Sequence, residues 1–288
     1  MAPMEPFRPD LLAGKATLIT GGGTGLGQAI ALRMAGLGAR VGIVGRRPEP
    51  LEETVRAIRA AGGQAAWARC DVREPEQVAA AFDAVEAEIG HLDQLINNAA
   101  GNFLAPSEDL SPNAFDSVVR IVLYGTFHAT RELGRRLIER KQPGAVLAIA
   151  TTYSTTGSAF VLPSACAKAG VVAMMRSLAV EWATYGIRCN AVAPGPFPTE
   201  GAFSRLLPGT EMEKQALRRI PSRRFGDAQE LANLVCYLMS DASPYLTGDV
   251  VTIDGAEALF SGQQFAGFVH LPRAQAKEMM AALRPKKA

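Results

Sequence analysis

Ala16-Thr17-Leu18-Ile19-Thr20-Gly21-Gly22-Gly23-Thr24-Gly25-Leu26-Gly27 is the stretch whose reading decides the fold. Its first five residues are an apolar run bounded by glycine, the pattern of a short buried strand. The glycines that follow let the backbone turn tightly, and a helix is predicted over 25–37. A helix N-terminus offers free N–H groups and the positive end of a dipole, and glycines allow a pyrophosphate to approach the backbone. A glycine cluster alone marks only a turn. Strand, glycines and helix in that order make a dinucleotide site, with Gly21, Gly23, Thr24, Gly25, Leu26 and Gly27 as its contacts.

Outward from this stretch, short apolar runs alternate with amphipathic segments. Strands are predicted over 40–44, 65–70, 92–96, 145–150, 188–192 and 249–253. Helices are predicted over 49–61, 74–89 and 112–139, with a further long helix inside 158–185. Strands that are apolar on both faces and alternate with helices imply a parallel sheet covered on both sides, joined by right-handed crossovers. The expected architecture is α/β: a single doubly wound Rossmann domain over 1–288, with a seven-stranded, mainly parallel sheet and helices on both faces. Two stretches break the rhythm. Residues 194–224 are expected to form a substrate loop or lid, and 261–288 a C-terminal extension with a short helix over Ala274–Leu283.

Composition bounds the function classes. The 288 residues suffice for a core without staples. Hydrophobic residues make up 48% and charged residues 20%, an ordinary globular balance. No apolar run spans a bilayer, so no membrane insertion is expected. Met1–Pro9 lacks the basic and then apolar pattern of a secretory leader, and a cytoplasmic location is expected. Cys70, Cys166, Cys189 and Cys236 form no C-x-x-C pair and read as reduced thiols. His91, His128 and His270 lack ligand spacing, so no metal is expected. A net charge of +2 argues against a general nucleic-acid surface.

Further residues extend the dinucleotide site. The second strand ends in Gly45-Arg46-Arg47, where an enzyme using NAD often carries an acid for the ribose hydroxyls. Arg46 there suits the extra phosphate of NADPH, although a solvated surface pair would look the same. Asp71-Val72, after the third strand, is placed to hold the adenine. Asn98-Ala99, after the fourth, lies at the carboxyl edge where ligands bind in such sheets.

Ser164 stands four residues before Lys168, and the chain contains no Tyr-x-x-x-Lys. Together Thr20-Gly21-x-x-x-Gly25-x-Gly27, Asn97-Asn98-Ala99, Lys168 and Pro194-Gly195 resemble the short-chain dehydrogenase/reductase family over about residues 15–255. The resemblance implies that Lys168 binds the nicotinamide ribose and that Pro194, Gly195, Pro196 and Phe197 approach the nicotinamide. It also implies a homotetramer. The family pattern has a tyrosine where this chain has Ser164, a serine where it has Thr151 and an asparagine where it has Val122. A phenol titrates near pH 10 and donates a proton well, whereas a serine hydroxyl is far less acidic. The nearest candidate for a relocated hydroxyl is Tyr153.

A narrower set of residues resembles the 2,4-dienoyl-CoA reductase subfamily: Asn98-Ala99-Ala100-Gly101-Asn102-Phe103, Leu110-Ser111-Pro112-Asn113-Ala114, Pro163-Ser164-Ala165-x-Ala167-Lys168-Ala169-Gly170 and Gly201-Ala202-Phe203-Ser204-Arg205. That resemblance implies Tyr153 as the acidic hydroxyl, Asn102 as its partner, and Ser164 and Lys168 in support. It implies acyl-CoA contacts at Arg73, Asn102, Phe103, Ser111 and Arg205. The implied reaction is NADPH-dependent reduction of a 2,4-dienoyl-CoA to a 3-enoyl-CoA, in the oxidation of unsaturated fatty acids. Two alternatives stay open: another enoyl-CoA or 3-oxoacyl thioester reductase, and a non-catalytic NADP-binding sensor or scaffold.

Overall fold

The structure, a computed structural model, describes residues 5–198, 210–260, 271–272, 274–275 and 278–279. Seven strands form one sheet: β1 (Ala16–Thr20), β2 (Arg40–Gly45), β3 (Ala65–Arg69), β4 (Gln94–Asn97), β5 (Gly144–Ile149), β6 (Ile187–Pro194) and β7 (Val250–Ile253). Their order is β3-β2-β1-β4-β5-β6-β7. Every pairing is parallel, so the sheet is wholly rather than mainly parallel. β1 is buried at each position, as its unbroken apolar run requires.

Helices cover both faces. α1 (Gly25–Gly36), α2 (Pro48–Ala60) and α9 (Ala228–Met239) lie on one side. Ile30, Met34, Leu51, Val55, Leu231 and Val235 meet Ile19, Ile43, Ile96 and Leu147 there. α3 (Pro75–Ile89), α4 (Pro112–Val119), α5 (Gly125–Arg140) and α7 (Leu162–Glu181) lie on the other. Phe82, Leu133, Leu137 and Met175 meet Leu18, Leu95 and Val146 on that side. Proline opens α2, α3 and α4, where its missing N–H costs nothing.

Departures from the sequence reading bear on the site. The helix expected over 112–139 is interrupted by a π-turn at Arg120–Tyr124, which contains buried Val122. π-turns inside helices are frequent at functional sites, and no residue type announces them. The long helix expected inside 158–185 runs over Leu162–Glu181, and Gly157 and Phe160 take left-handed backbone angles ahead of it. A separate short helix, α6 (Tyr153–Thr156), precedes that turn. Besides α6, the helices α8 (Thr210–Arg219), inside the proposed lid, and α9 were not expected. α9 carries a full capping box, Asp227 with Glu230, followed by apolar residues at helical spacing, so its signal was present. A last short helix, α10 (Glu257–Phe260), follows β7. Among the described residues, no helix is long and apolar enough to cross a membrane.

Candidate active site

The strand order reverses between β1 and β4, which opens a crevice at the carboxyl edge of the sheet. The loops leaving these two strands are sewn together there. The Asn98 side chain donates to the carbonyls of Thr20 at 3.0 Å and Gly21 at 3.1 Å. The Thr20 hydroxyl accepts from the N–H groups of Asn98 and Ala99, each at 3.0 Å. Asn98 therefore shapes the glycine loop with its side chain. Thr20 is a partner that the sequence reading missed, although a hydroxyl at the last residue of β1 was a legible signal. Gly21 holds φ at 68°, where a side chain is strained. A Cβ on Gly27 would overlap the Gly21 carbonyl oxygen and the Asn98 amide. α1 starts after Thr24 with no side-chain cap bond and no acid in its first turn. Tight glycines and an uncapped helix end fit a dinucleotide pyrophosphate.

The adenine end is built on β2 and β3. Arg46 is exposed just past β2. Asp71 accepts from Arg73 Nε at 2.9 Å and Nη2 at 2.5 Å. Arg73 holds the Asp71 carboxyl below the usual carboxylate range, and the charge of Arg46 adds to the pull. A residue assigned to adenine and one assigned to acyl-CoA thus form one ion pair. The Arg73 Nη1 group lies outside that pairing. Behind them the Val72 carbonyl meets His128 Nδ1 of α5 at 3.0 Å, another contact that the sequence reading missed.

The catalytic candidates converge. Asn102, on the loop after β4, donates through Nδ2 to the Tyr153 hydroxyl at 3.4 Å. Tyr153, at the start of α6, lies 3.2 Å from the Ser164 hydroxyl. Ser164 and Lys168 sit one turn apart on α7, both buried. Lys168 Nζ donates to the Ile149 carbonyl at the end of β5. Burial pushes the Lys168 ammonium down to about 8, because leaving water penalises its charge. No hydrogen bond between Lys168 and Tyr153 occurs among the described residues. The line therefore runs Asn102, Tyr153, Ser164, with Lys168 set apart against the end of β5.

The remaining predicted residues divide. Phe103 is half-buried against the core beside Asn102. Ser111 is the N-cap of α4, its hydroxyl accepting from the Ala114 N–H at 3.2 Å. Pro194 ends β6, Gly195 N–H donates to Ile253 at 2.9 Å, and Pro196 accepts from Gly226 at 3.1 Å. Phe197 turns into the core with Leu231 and Val235. These bonds tie the segment to the end of β7 and to the loop before α9, and the Phe197 ring is spent on the core. Arg205 and the Gly201–Arg205 match lie outside the described residues, as do 261–270 and most of the C-terminal extension.

A glycine loop on a helix N-terminus at the switch point of a parallel sheet, facing a phenol, an amide and a buried lysine, defines a nicotinamide-dinucleotide oxidoreductase. Residues 21–256 match the family model described as enoyl-(acyl carrier protein) reductase. A probable (3E)-enoyl-CoA-producing 2,4-dienoyl-CoA reductase of Caenorhabditis elegans is 43% identical, covering 92% of this chain and 87% of the relative. A probable (2E)-enoyl-CoA-producing 2,4-dienoyl-CoA reductase of Bacillus subtilis is 42% identical, covering 85% and 97%. The crystal structure of a Burkholderia cenocepacia gluconate 5-dehydrogenase with NADP and tartrate is 32% identical with a TM-score of 0.82, covering 87% of this chain and 98% of that one. The chain belongs to the short-chain dehydrogenase/reductase family and is an oxidoreductase that uses a nicotinamide dinucleotide.

Proposed function

We propose that this enzyme reduces 2,4-dienoyl-CoA thioesters with NADPH to 3-enoyl-CoA, a step in the oxidation of unsaturated fatty acids. The observation that carries the reading is the convergence of the Asn102 amide and the Tyr153 hydroxyl, 3.4 Å apart, while Ser164 fills the family's usual tyrosine place. Relatives named as dienoyl-CoA reductases support it. Arg46 beside the ribose position favours NADPH over NADH.

NADPH, when bound, would supply a hydride to the δ-carbon of the conjugated thioester. Charge then flows through both double bonds onto the thioester oxygen. Tyr153 and Asn102 donate to that oxygen and stabilise the dienolate. Ser164 holds the Tyr153 hydroxyl in position. Lys168 holds the nicotinamide ribose. A proton from water then adds to the α-carbon and leaves the 3-enoyl thioester. Arg73, through its outer guanidinium nitrogen, is assigned to a CoA phosphate. A homotetramer and a cytoplasmic location belong to the same proposal.

Tyr153→Phe tests the scheme. With 2,4-decadienoyl-CoA and NADPH, kcat is expected to fall by about a hundredfold or more, the usual cost of one oxyanion donor. Undiminished reduction when chemistry limits the rate would reject it. Product NMR decides between the 3-enoyl and 2-enoyl isomers, a choice on which the relatives' names differ. NADPH binding without turnover of any dienoyl or enoyl thioester would assign a sensor instead.

A further inference from the structure

Asn102 and Tyr153 account for the thioester head but not for the hydrocarbon tail behind the diene. An apolar surface adjoins them. Leu104, two residues past Asn102, is 49% exposed. Phe160 and Leu162, between Tyr153 and Ser164, are 59% and 40% exposed. Single exposed apolar residues need no explanation. These three lie on two segments that are tied together twice. Asn102 donates to Tyr153 at 3.4 Å. The Ala105 N–H donates to the Phe160 carbonyl at 3.0 Å. Leu104 stands between the ties, next to the partner of Phe160.

Two further observations point to a hydrocarbon ligand. No charged residue occurs in 99–107 or in 151–167, so the surface suits an alkyl chain and not the phosphates of CoA. Phe160 holds φ at 63°, a region bulky side chains rarely adopt. Backbone outliers of this kind cluster at ligand clamps. Here the outlier keeps an aromatic ring outside the core, beside the reacting end of the site.

We propose that Leu104, Phe160 and Leu162 form a shelf for the acyl chain beyond the diene and set the preference for chain length. This rests on the reading of the substrate as a dienoyl thioester. Each methylene laid fully against the shelf is worth roughly fourfold in kcat/KM. Decadienoyl has four more methylenes than hexadienoyl, and covering about half of them on an open shelf gives about fifteenfold.

The test is steady-state kinetics of the full chain with NADPH, comparing 2,4-decadienoyl-CoA with 2,4-hexadienoyl-CoA. The wild type is expected to prefer the longer thioester. Phe160→Gly and Leu104→Ser are each expected to lower the decadienoyl-to-hexadienoyl ratio of kcat/KM by about threefold, one residue's share of the shelf, and Phe160→Leu to restore most of it. Glycine takes the backbone angle of Phe160 without strain, so Phe160→Gly keeps the turn. Equal losses on both thioesters, or none, overturn the shelf. Equal losses with a changed assembly mass by light scattering assign the patch to a second copy of the chain. Wild-type turnover of neither thioester overturns the substrate reading, and the shelf with it.

Discussion

Lys168→Met isolates what the fold spends to keep an ammonium inside α7. Burial lowers the Lys168 pKa from 10.5 to about 8. At about 1.4 kcal/mol per pH unit, this is a destabilisation of about 3 kcal/mol at neutral pH. The sign follows from proton counting. Between pH 8 and 10.5 the unfolded chain holds the lysine proton and the folded chain has released it. Stability due to Lys168 therefore rises with pH across that window, is complete above it, and is lost as pH falls through about 8. Methionine has no such titration. Its substitution also orphans the Ile149 carbonyl, at about 1–3 kcal/mol. That cost is the same at every pH and cancels when the difference between the two proteins is followed. Urea unfolding of both proteins across the window is the assay. The expected result is that wild-type stability gains about 3 kcal/mol on the variant between its two ends. A flat difference would show that Lys168 titrates like a solvated lysine and would remove the argument for its burial. The variant is also expected to bind NADPH poorly, since the ammonium is assigned to the ribose.

Arg46→Glu is expected to lower kcat/KM for NADPH by about ten- to a hundredfold, the range of one lost charge-assisted contact, while leaving NADH nearly unchanged. Equal effects on the two cofactors would show that Arg46 does not meet the ribose phosphate. Gly27→Ala sets a methyl group against the Gly21 carbonyl and the Asn98 amide. It is expected to weaken NADPH binding by about tenfold and to cost about 1–3 kcal/mol of stability, read by fluorescence titration and denaturant unfolding. Unchanged cofactor affinity would mean that the glycine loop tolerates a shift.

The sheet was legible because its signal is local. Ala16–Thr20 announces a strand buried on both faces, and the glycines after it announce the turn. What stayed hidden depends on contacts distant in sequence. Thr20 and Asn98 are 78 residues apart, and only the strand order brings them together. Asp71 and Arg73 are close in sequence, yet two separate ligand assignments hid their ion pair. The π-turn at Arg120–Tyr124 lies within a sequence that reads as continuous helix. Tyr153 could be named from its place just after the fifth strand. Its distances to Asn102 and Ser164 required α6 and the left-handed turn after it.

Separation of the hydroxyl from the lysine follows from the chemistry proposed. Reduction of a ketone leaves an alkoxide, which is more basic than a phenolate and must receive a proton from its acid at once. A lysine beside that acid assists by making the phenol more acidic. A dienolate delocalises its charge and takes its proton later, at carbon. It needs hydrogen-bond donors that stay in place rather than an acid that dissociates. Tyr153, held between Asn102 and Ser164, has the form of such a donor. Lys168 is bonded to Ile149 and not to Tyr153, which accords with the cofactor role proposed for it. A prediction separates the two designs: Lys168→Arg keeps a cation for the ribose, so NADPH affinity should recover further than in Lys168→Met, and dienoyl-CoA turnover should recover with it in proportion. Recovered binding with turnover still at the Lys168→Met level would mean that the ammonium acts on Tyr153 after all.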